Sequence, residues 1–369
     1  MEKPIASCDS PTFGQTRAND SPSEGLRTSN GAFPGTDMAC WPVDAGGGRD
    51  HLLRALSNTL ADADEKPTTV PKYPGPQPLS IDSSHFHHFR PGAYLVATKH
   101  DGVRACMYFV DVGDRHVVCL FDRKMDVPHI VFIQNVPRAF CQGYGTVLDG
   151  ELIYDTTTHT WTYVIFDCVV LCSMPQYQKS FDDRLNLVGA ALRISYREDK
   201  RDTLLLMVKT FVPLETADPR ALHDARFSSD GFVFMPRLEP IRWGHHKTFF
   251  KLKTCHSVDF MYKAGALYIF NQQSKRYVKA GTLTEKVDFP DGIIVECVLE
   301  RYDPTPSKRV WRMLHVRSDK DRSNTLFVLD KTLLNIRERL DFATVQGLVT
   351  ERGFQSSASR PEHGDLEEE

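Results

Sequence analysis

Short β-type runs closed by Gly, Asp or Pro dominate the middle of this chain, one amphipathic helix interrupts them, and a purely β stretch follows. These three observations predict an α+β fold, with an antiparallel-sheet domain over 74–254 and a C-terminal OB-fold β-barrel over 255–330. A helical segment over 331–353 completes the ordered part. A disordered N-terminal tail over 1–73 and an acidic disordered tail over 354–369 flank it.

Residues 1–73 are rich in Gly, Ser, Pro, Thr and Asp, and only 51–61 carries a short helical pattern. Such a composition buries too little apolar surface to offset the entropy of ordering. Strand patterns then fall at 94–98, 104–110, 117–121, 130–133, 147–153, 162–171, 204–211, 231–234 and 248–253. The spacing predicts a helix over 183–196, because Leu185, Val188 and Leu192 recur at helical intervals on one face. Five further strands, at 258–262, 266–270, 277–280, 293–298 and 310–316, are the number a small Greek-key barrel needs. One or two short helices are expected over 333–347. The tail after 354 ends in Asp365-Leu366-Glu367-Glu368-Glu369 and reads as solvated.

A chain of 369 residues with 41% hydrophobic content and a net charge of -3 has no global attraction for a polyanion, so any such affinity must come from local clusters of cations. No apolar run reaches the ~18 residues that cross a bilayer, and residues 1–20 lack the apolar core of a signal peptide, so no membrane partner and an intracellular location are expected. Nine cysteines, odd in number and without a C-x-x-C pair, fit reduced thiols better than a zinc site or a disulfide framework. His85-Phe86-His87-His88 and His245-His246 lack Cys or carboxylate at ligand spacing and read as loop histidines.

The chemistry-bearing residues lie at strand ends. Lys99-His100-Asp101-Gly102-Val103-Arg104 follows an apolar run, and a lysine there is a candidate nucleophile if nearby cations or desolvation lower its pKa. In Lys247–253, period-two alternation sends Lys251 and Lys253 to one face and Phe250 and Leu252 to the other. The two ammonium groups can depress a facing lysine and bind phosphate, although an edge strand with a solvated lysine face has the same pattern. Asp149-Gly150-Glu151 and Asp230-Gly231 put carboxylates at strand edges, suited either to a hard divalent cation or to an ordinary Asp-Gly turn. Phe166 offers an aromatic face to a purine or a ring to the core. Arg317-Ser318-Asp319-Lys320, with Arg301, Lys308, Arg309 and Arg322, forms a basic patch, either facing phosphates or lying as a solvated rim.

In their order these elements resemble the covalent nucleotidyltransferases, the superfamily of messenger-RNA capping enzymes and ATP-dependent DNA and RNA ligases, over about 78–324. The matching signature is K-x-D-G (Lys99–Gly102), D-G-E (Asp149–Glu151), an aromatic strand (Phe166), D-G (Asp230, Gly231) and K-x-K (Lys251, Lys253). Asp122-Arg123-Lys124, Ser257-Val258-Asp259-Phe260 and Arg317-Ser318-Asp319-Lys320 with Asn324 resemble the RNA guanylyltransferase branch in particular. His315 departs from the pattern, standing where many members have a second arginine.

The resemblance implies that 74–254 is a nucleotidyltransferase domain in which Lys99 attacks the α-phosphate of GTP and passes GMP to the 5′-diphosphate end of RNA. It implies that Arg104, Arg123 and Glu151 contact the ribose, and that Phe166 stacks on guanine. Lys251 and Lys253 would bind the base and α-phosphate, Arg317, Asp319 and Lys320 the outer phosphates, and Asp230 would help place Mg2+ or Mn2+. Expected partners are the RNA polymerase II tail and a separate RNA triphosphatase, and the expected location is the nucleus. The alternative is an ATP-dependent polynucleotide ligase working through a lysyl-AMP intermediate.

Overall fold

The computed structural model describes residues 26–61, 71–318 and 320–358. Two sheets and a closed barrel make up the architecture. The larger sheet has nine strands, and its centre is Arg115–Phe121, Val103–Val112, Thr146–Asp155 and Thr160–Leu171, paired antiparallel in that order. The second sheet has five, in the order Val212–Pro213, Tyr94–His100, Ser229–Pro236, Gly244–Lys253 and Pro76–Ser80.

Both sheets are covered on both faces, which is why runs such as Ala105–Val110 are apolar without alternation. On one face of the larger sheet, Val188 and Leu192 of the helix Phe181–Ser195 pack against Met107, Leu148 and Ile165. Ser180 starts that helix by accepting a hydrogen bond from the Asp183 backbone N–H (3.2 Å), with Asp182 and Asp183 in its positive first turn. In the second sheet, Val96, Phe234, Phe250 and Leu252 form one core and Leu95, Ala97, Val233 and Phe249 another.

The pairing is less uniformly antiparallel than expected. Leu205–Val208 runs parallel to Thr160–Leu171, and Pro76–Ser80 runs parallel to Gly244–Lys253. The strand expected over 204–211 is thus the shorter Leu205–Val208, after which the chain crosses to the other sheet at Val212–Pro213.

The larger correction concerns the N-terminal tail. Within 26–61, the strands Gly31–Ala32 and Ala39–Pro42 extend the larger sheet, and the helix Gly47–Leu60 lays Leu52, Leu53, Leu56 and Leu60 on the face opposite the helix Phe181–Ser195. The segment cannot form a core of its own, but it adds a few anchors to one that exists, with Phe33 and Met38 joining the other face. The parts of the expected tail at 1–25 and 62–70 lie outside the described residues.

The barrel closes in the order Ser257–Lys263, Ala266–Asn271, Arg276–Leu283, Val310–Val316, Ile294–Arg301, around Val258, Phe260, Leu267, Ile269, Val295 and Trp311. Two helices follow, Leu326–Glu338 and Phe342–Ala358. The first begins inside the stretch assigned to the barrel, and the second runs into the stretch assigned to the acidic tail. Leu329 and Leu333 complete the barrel core, while Phe342, Val345 and Val349 return to the second sheet beside Phe234.

Candidate active site

The site begins at three adjacent strands of the second sheet. Their register sets Gly231 opposite Lys99 on one side and opposite Lys253 on the other. Gly231 has φ +143°, and a Cβ there would lie 1.9 Å from the Leu252 carbonyl oxygen. Only glycine fits such a position. The neighbouring Asp230 carboxylate is shared by the two lysines, Lys99 Nζ lying 2.9 Å from Oδ1 and Lys253 Nζ 2.8 Å from Oδ2. Burial opposes the charge on Asp230, yet the two ammonium groups hold its carboxyl below the usual range.

Lys251 and Lys253 share a face while Phe250 and Leu252 enter the core, as alternation predicts. Burial first, then the charges of Lys253, Lys99 and Arg123, lowers Lys251 from 10.5 to about 8. Arg123 is exposed in the turn after Arg115–Phe121.

The second half of the site comes from the larger sheet. Arg104 Nε donates to Asp149 Oδ1 at 3.0 Å, and a second guanidinium N–H donates to Oδ2. The Tyr73 hydroxyl donates to the same Oδ1 at 2.7 Å. The guanidinium sits 5.1 Å from the ring centroids of both Tyr73 and Phe166. Arg104 is therefore anchored by a fully buried carboxylate and two aromatic rings, in contact with Phe166 itself. The segment after Tyr73 seals this cluster, since a Cβ on Gly75 would lie 1.9 Å from Asp149 Oδ2.

Glu151 faces Arg104 across the strand pair. Burial raises its carboxyl, and the charges of Lys209, Lys99 and Arg104 counter that rise. Lys209 is almost wholly buried, and burial lowers it to about 8, with Glu151 opposing and Lys99 adding. The structure thus gathers Lys99, Arg104, Glu151, Phe166, Asp230, Lys251 and Lys253 into one charged region.

Arg317 and Lys320 belong to the barrel and are held by its own carboxylates. Arg317 Nη1 lies 3.2 Å from Asp259 Oδ1 and 3.0 Å from Glu296 Oε2, and Lys320 pairs with the other Asp259 oxygen. His315 reaches Glu296 at 3.4 Å. Asp319 lies outside the described residues.

Three contributors were not legible as such. Tyr73 lies at the end of the expected tail, Asp149 reads in sequence as a turn or cation ligand rather than the partner of Arg104, and Lys209 reads as one residue of a strand. Its signal is a lone cation in the apolar run Leu204-Leu205-Leu206-Met207-Val208-Lys209.

Chemically, a lysine amine stands among cations that can neutralise a polyphosphate, and the Phe166 ring lies in the same region against the Arg104 guanidinium. For a divalent ion, the oxygen donors are Asp230 and Glu151, whose charges interact. One or two carboxylates plus substrate phosphates are a donor set suited to Mg2+ or Mn2+, and an ion there would draw Asp230 from its lysines.

Two family models match the chain: "mRNA capping enzyme, catalytic domain" over residues 48–255 and "mRNA capping enzyme, C-terminal domain" over 236–345. Among curated relatives, "mRNA-capping enzyme subunit alpha" of Schizosaccharomyces pombe is 26% identical over 223 residues, covering 53% of this chain and 54% of the relative. The subunit of the same name from Neurospora crassa is 24% identical over 335 residues, covering 72% and 81%. The Caenorhabditis elegans mRNA-capping enzyme is 24% identical over 312 residues, covering 76% of this chain and 48% of the relative. The chain therefore spans about half the length of the first and third of these proteins. Among solved structures, a mycobacterial DNA ligase D complexed with ATP and MES is similar with a TM-score of 0.39 and 13% identity, covering 67% of this chain and 94% of the ligase. With its catalytic model alone spanning more than half of the residues, the chain belongs to the mRNA capping enzyme family.

Proposed function

We propose that this chain is an RNA guanylyltransferase, and that Lys99 is its nucleophile. The observation that carries the reading is the row Lys99–Asp230–Lys253, in which a displaceable carboxylate sits between the nucleophilic amine and a second cation. Lys99 Nζ, once it has lost a proton, attacks the α-phosphorus of GTP. A P–N bond forms, the bridging P–O bond to the β-phosphate breaks, and pyrophosphate leaves with the electron pair. An oxygen of the RNA 5′-diphosphate then attacks the same phosphorus, the P–N bond breaks, and the amine regains a proton.

Lys251 and Lys253 neutralise the α-phosphate, with Lys251 also serving the base. Phe166 is the stacking platform for guanine. Arg104 positions that ring through Asp149 and, with Arg123 and Glu151, borders the ribose. A divalent ion, Mg2+ or Mn2+, neutralises phosphate charge when bound beside Asp230. We read the barrel as an OB fold, since its third and fifth strands pair parallel as the ring closes. Arg317 and Lys320 on that barrel reach the outer phosphates when the two domains close. The proposed place of action is the nucleus, with the RNA polymerase II tail and a separate RNA triphosphatase as partners.

The test is incubation with α-labelled GTP or, separately, α-labelled ATP, plus Mg2+ or Mn2+, then denaturing electrophoresis with Lys99→Ala as control. Label from GTP alone, lost in the variant, is expected. Label from ATP moves the activity to nick joining through lysyl-AMP, and no label from either nucleotide defeats the reading.

A further inference from the structure

The barrel carries a feature the nucleotide chemistry does not use. From Lys263 to Thr284 the chain has four cations, Lys263, Lys275, Arg276 and Lys279, and no carboxylate, within a protein of net charge -3. The same stretch forms the second and third barrel strands, Ala266–Asn271 and Arg276–Leu283. Leu267, Ile269 and Ala280 point into the barrel core. Alternation therefore turns Tyr268, Phe270, Tyr277 and Lys279 outward.

Register orders that outer face. Tyr268 pairs with Lys279 and Phe270 with Tyr277. The Phe270 and Tyr277 rings meet edge to face, with centroids 5.5 Å apart and planes at 64°. Tyr277 is 37% exposed, and Lys263, Lys275, Arg276 and Lys279 are all exposed.

The face also adjoins the loop bearing Lys320. The Phe270 N–H donates to the Asn324 carbonyl at 3.4 Å, and the Asn324 N–H donates to the Asp259 carbonyl at 2.8 Å. The short segment after Lys320 is thereby sewn between Asp259 and Phe270.

We infer that this face binds single-stranded RNA, namely the nucleotides following the 5′ end that accepts GMP. The inference rests on the guanylyltransferase reading for the identity of the strand. Unpaired bases stack on the rings of Tyr268, Phe270 and Tyr277, which tolerate any base because every base has a π face. Lys263, Lys275, Arg276 and Lys279 follow the phosphates. An acidic peptide would use the cations but has no planar groups to fill the three rings, so the aromatic content selects the nucleic acid. Duplex RNA keeps its bases stacked internally and is excluded from the same contacts.

The experiment uses the full chain and a 5′-diphosphate single-stranded RNA of about ten nucleotides, enough to cover one such barrel face. Binding is read by fluorescence anisotropy, GMP transfer by RNA KM, and lysyl-GMP formation from GTP alone as a control. The double variant Tyr268→Ala/Tyr277→Ala should weaken RNA binding and raise RNA KM about tenfold or more. Its lysyl-GMP yield should stay at the wild-type level, which also reports an intact fold. Tyr277→Phe should bind like wild type, because stacking does not need the hydroxyl. Lys279→Ala and Arg276→Ala should each lower the salt dependence of binding by about 0.7 in log–log slope. Unchanged RNA affinity in the double variant, or equal binding of a duplex of the same sequence, overturns the inference. So does loss of binding to an acidic phosphopeptide with RNA binding intact. Absence of lysyl-GMP in the wild type would instead strike the guanylyltransferase reading, so the two failures are distinguishable.

Discussion

Burial and the neighbouring cations lower Lys251 from 10.5 to about 8, and the two processes it touches respond to pH in opposite directions. Between those values the unfolded chain binds a proton the folded chain has released, so the contribution of this residue to stability rises with pH across that window. If Lys251 binds phosphate as proposed, it does so as the ammonium, so KM for GTP should rise as pH passes about 8. Lys251→Arg should flatten the KM profile between about pH 7 and 9, because a guanidinium stays charged. Parallel profiles in wild type and variant would remove Lys251 from phosphate binding. Gly231→Ala belongs to the same scale. Its Cβ would collide with the Leu252 carbonyl at a φ of +143°. The expected cost is about 1–3 kcal/mol, together with loss of lysyl-GMP as Lys99 and Lys253 are spread apart. A variant with wild-type Tm and full adduct would refute the tight row. Lys251 and Lys253 were legible in the sequence because alternation is local, and Lys99 because of its company. Lys209 and Tyr73 were not, since each acquires its role from strands distant in sequence.

Among elements, the helix Phe181–Ser195 is fixed to the larger sheet by a buried ion pair. Arg184 donates to Asp167 from Nε at 2.7 Å and from Nη2 at 2.8 Å, and its Nη1 also donates to the carbonyls of Lys179 and Glu239. Asp167→Ala leaves that guanidinium buried without its carboxylate, so urea titration should show a loss of about 3–5 kcal/mol. A loss below about 1 kcal/mol would mean that the helix is held by its apolar face alone. Periodicity exposed this helix because Leu185, Val188 and Leu192 repeat on one side. It underrated the helix Gly47–Leu60, whose leucines lie in a Gly- and Asp-rich neighbourhood and are stabilised by the back of a sheet more than forty residues later. Composition reports what a segment can bury by itself, and that segment buries itself against something else. The parallel pairs were equally invisible, because a strand pattern carries no direction.

For the whole molecule, the chain leaves the second sheet at Lys253, builds the barrel, and returns at Phe342 to the core it left. The helix Leu326–Glu338 joins the two, giving Leu333 to the barrel while Asn335 donates to the Ile81 carbonyl at 2.5 Å and Lys331 pairs with Asp82 at 2.8 Å. Deleting residues 340–369 removes no residue assigned to chemistry, yet it uncovers Phe232 and Phe234. Loss of Phe342, Val345 and Val349 from that core should cost about 4.5–9 kcal/mol at roughly 1.5–3 each. Loss of cooperative unfolding and of lysyl-GMP would follow, whereas a truncated chain with normal yield would show the first domain to be self-sufficient. The two short connections between domains, at 254–256 and 339–341, both border a 530 Å³ cleft. On the proposed closing motion, a part tethered twice along one edge would swing like a door on two hinges, once the Lys331–Asp82 and Asn335–Ile81 contacts give way. The cations assigned above to the outer phosphates would then not have to search for them in three dimensions, and stiffening either hinge alone should slow every swing.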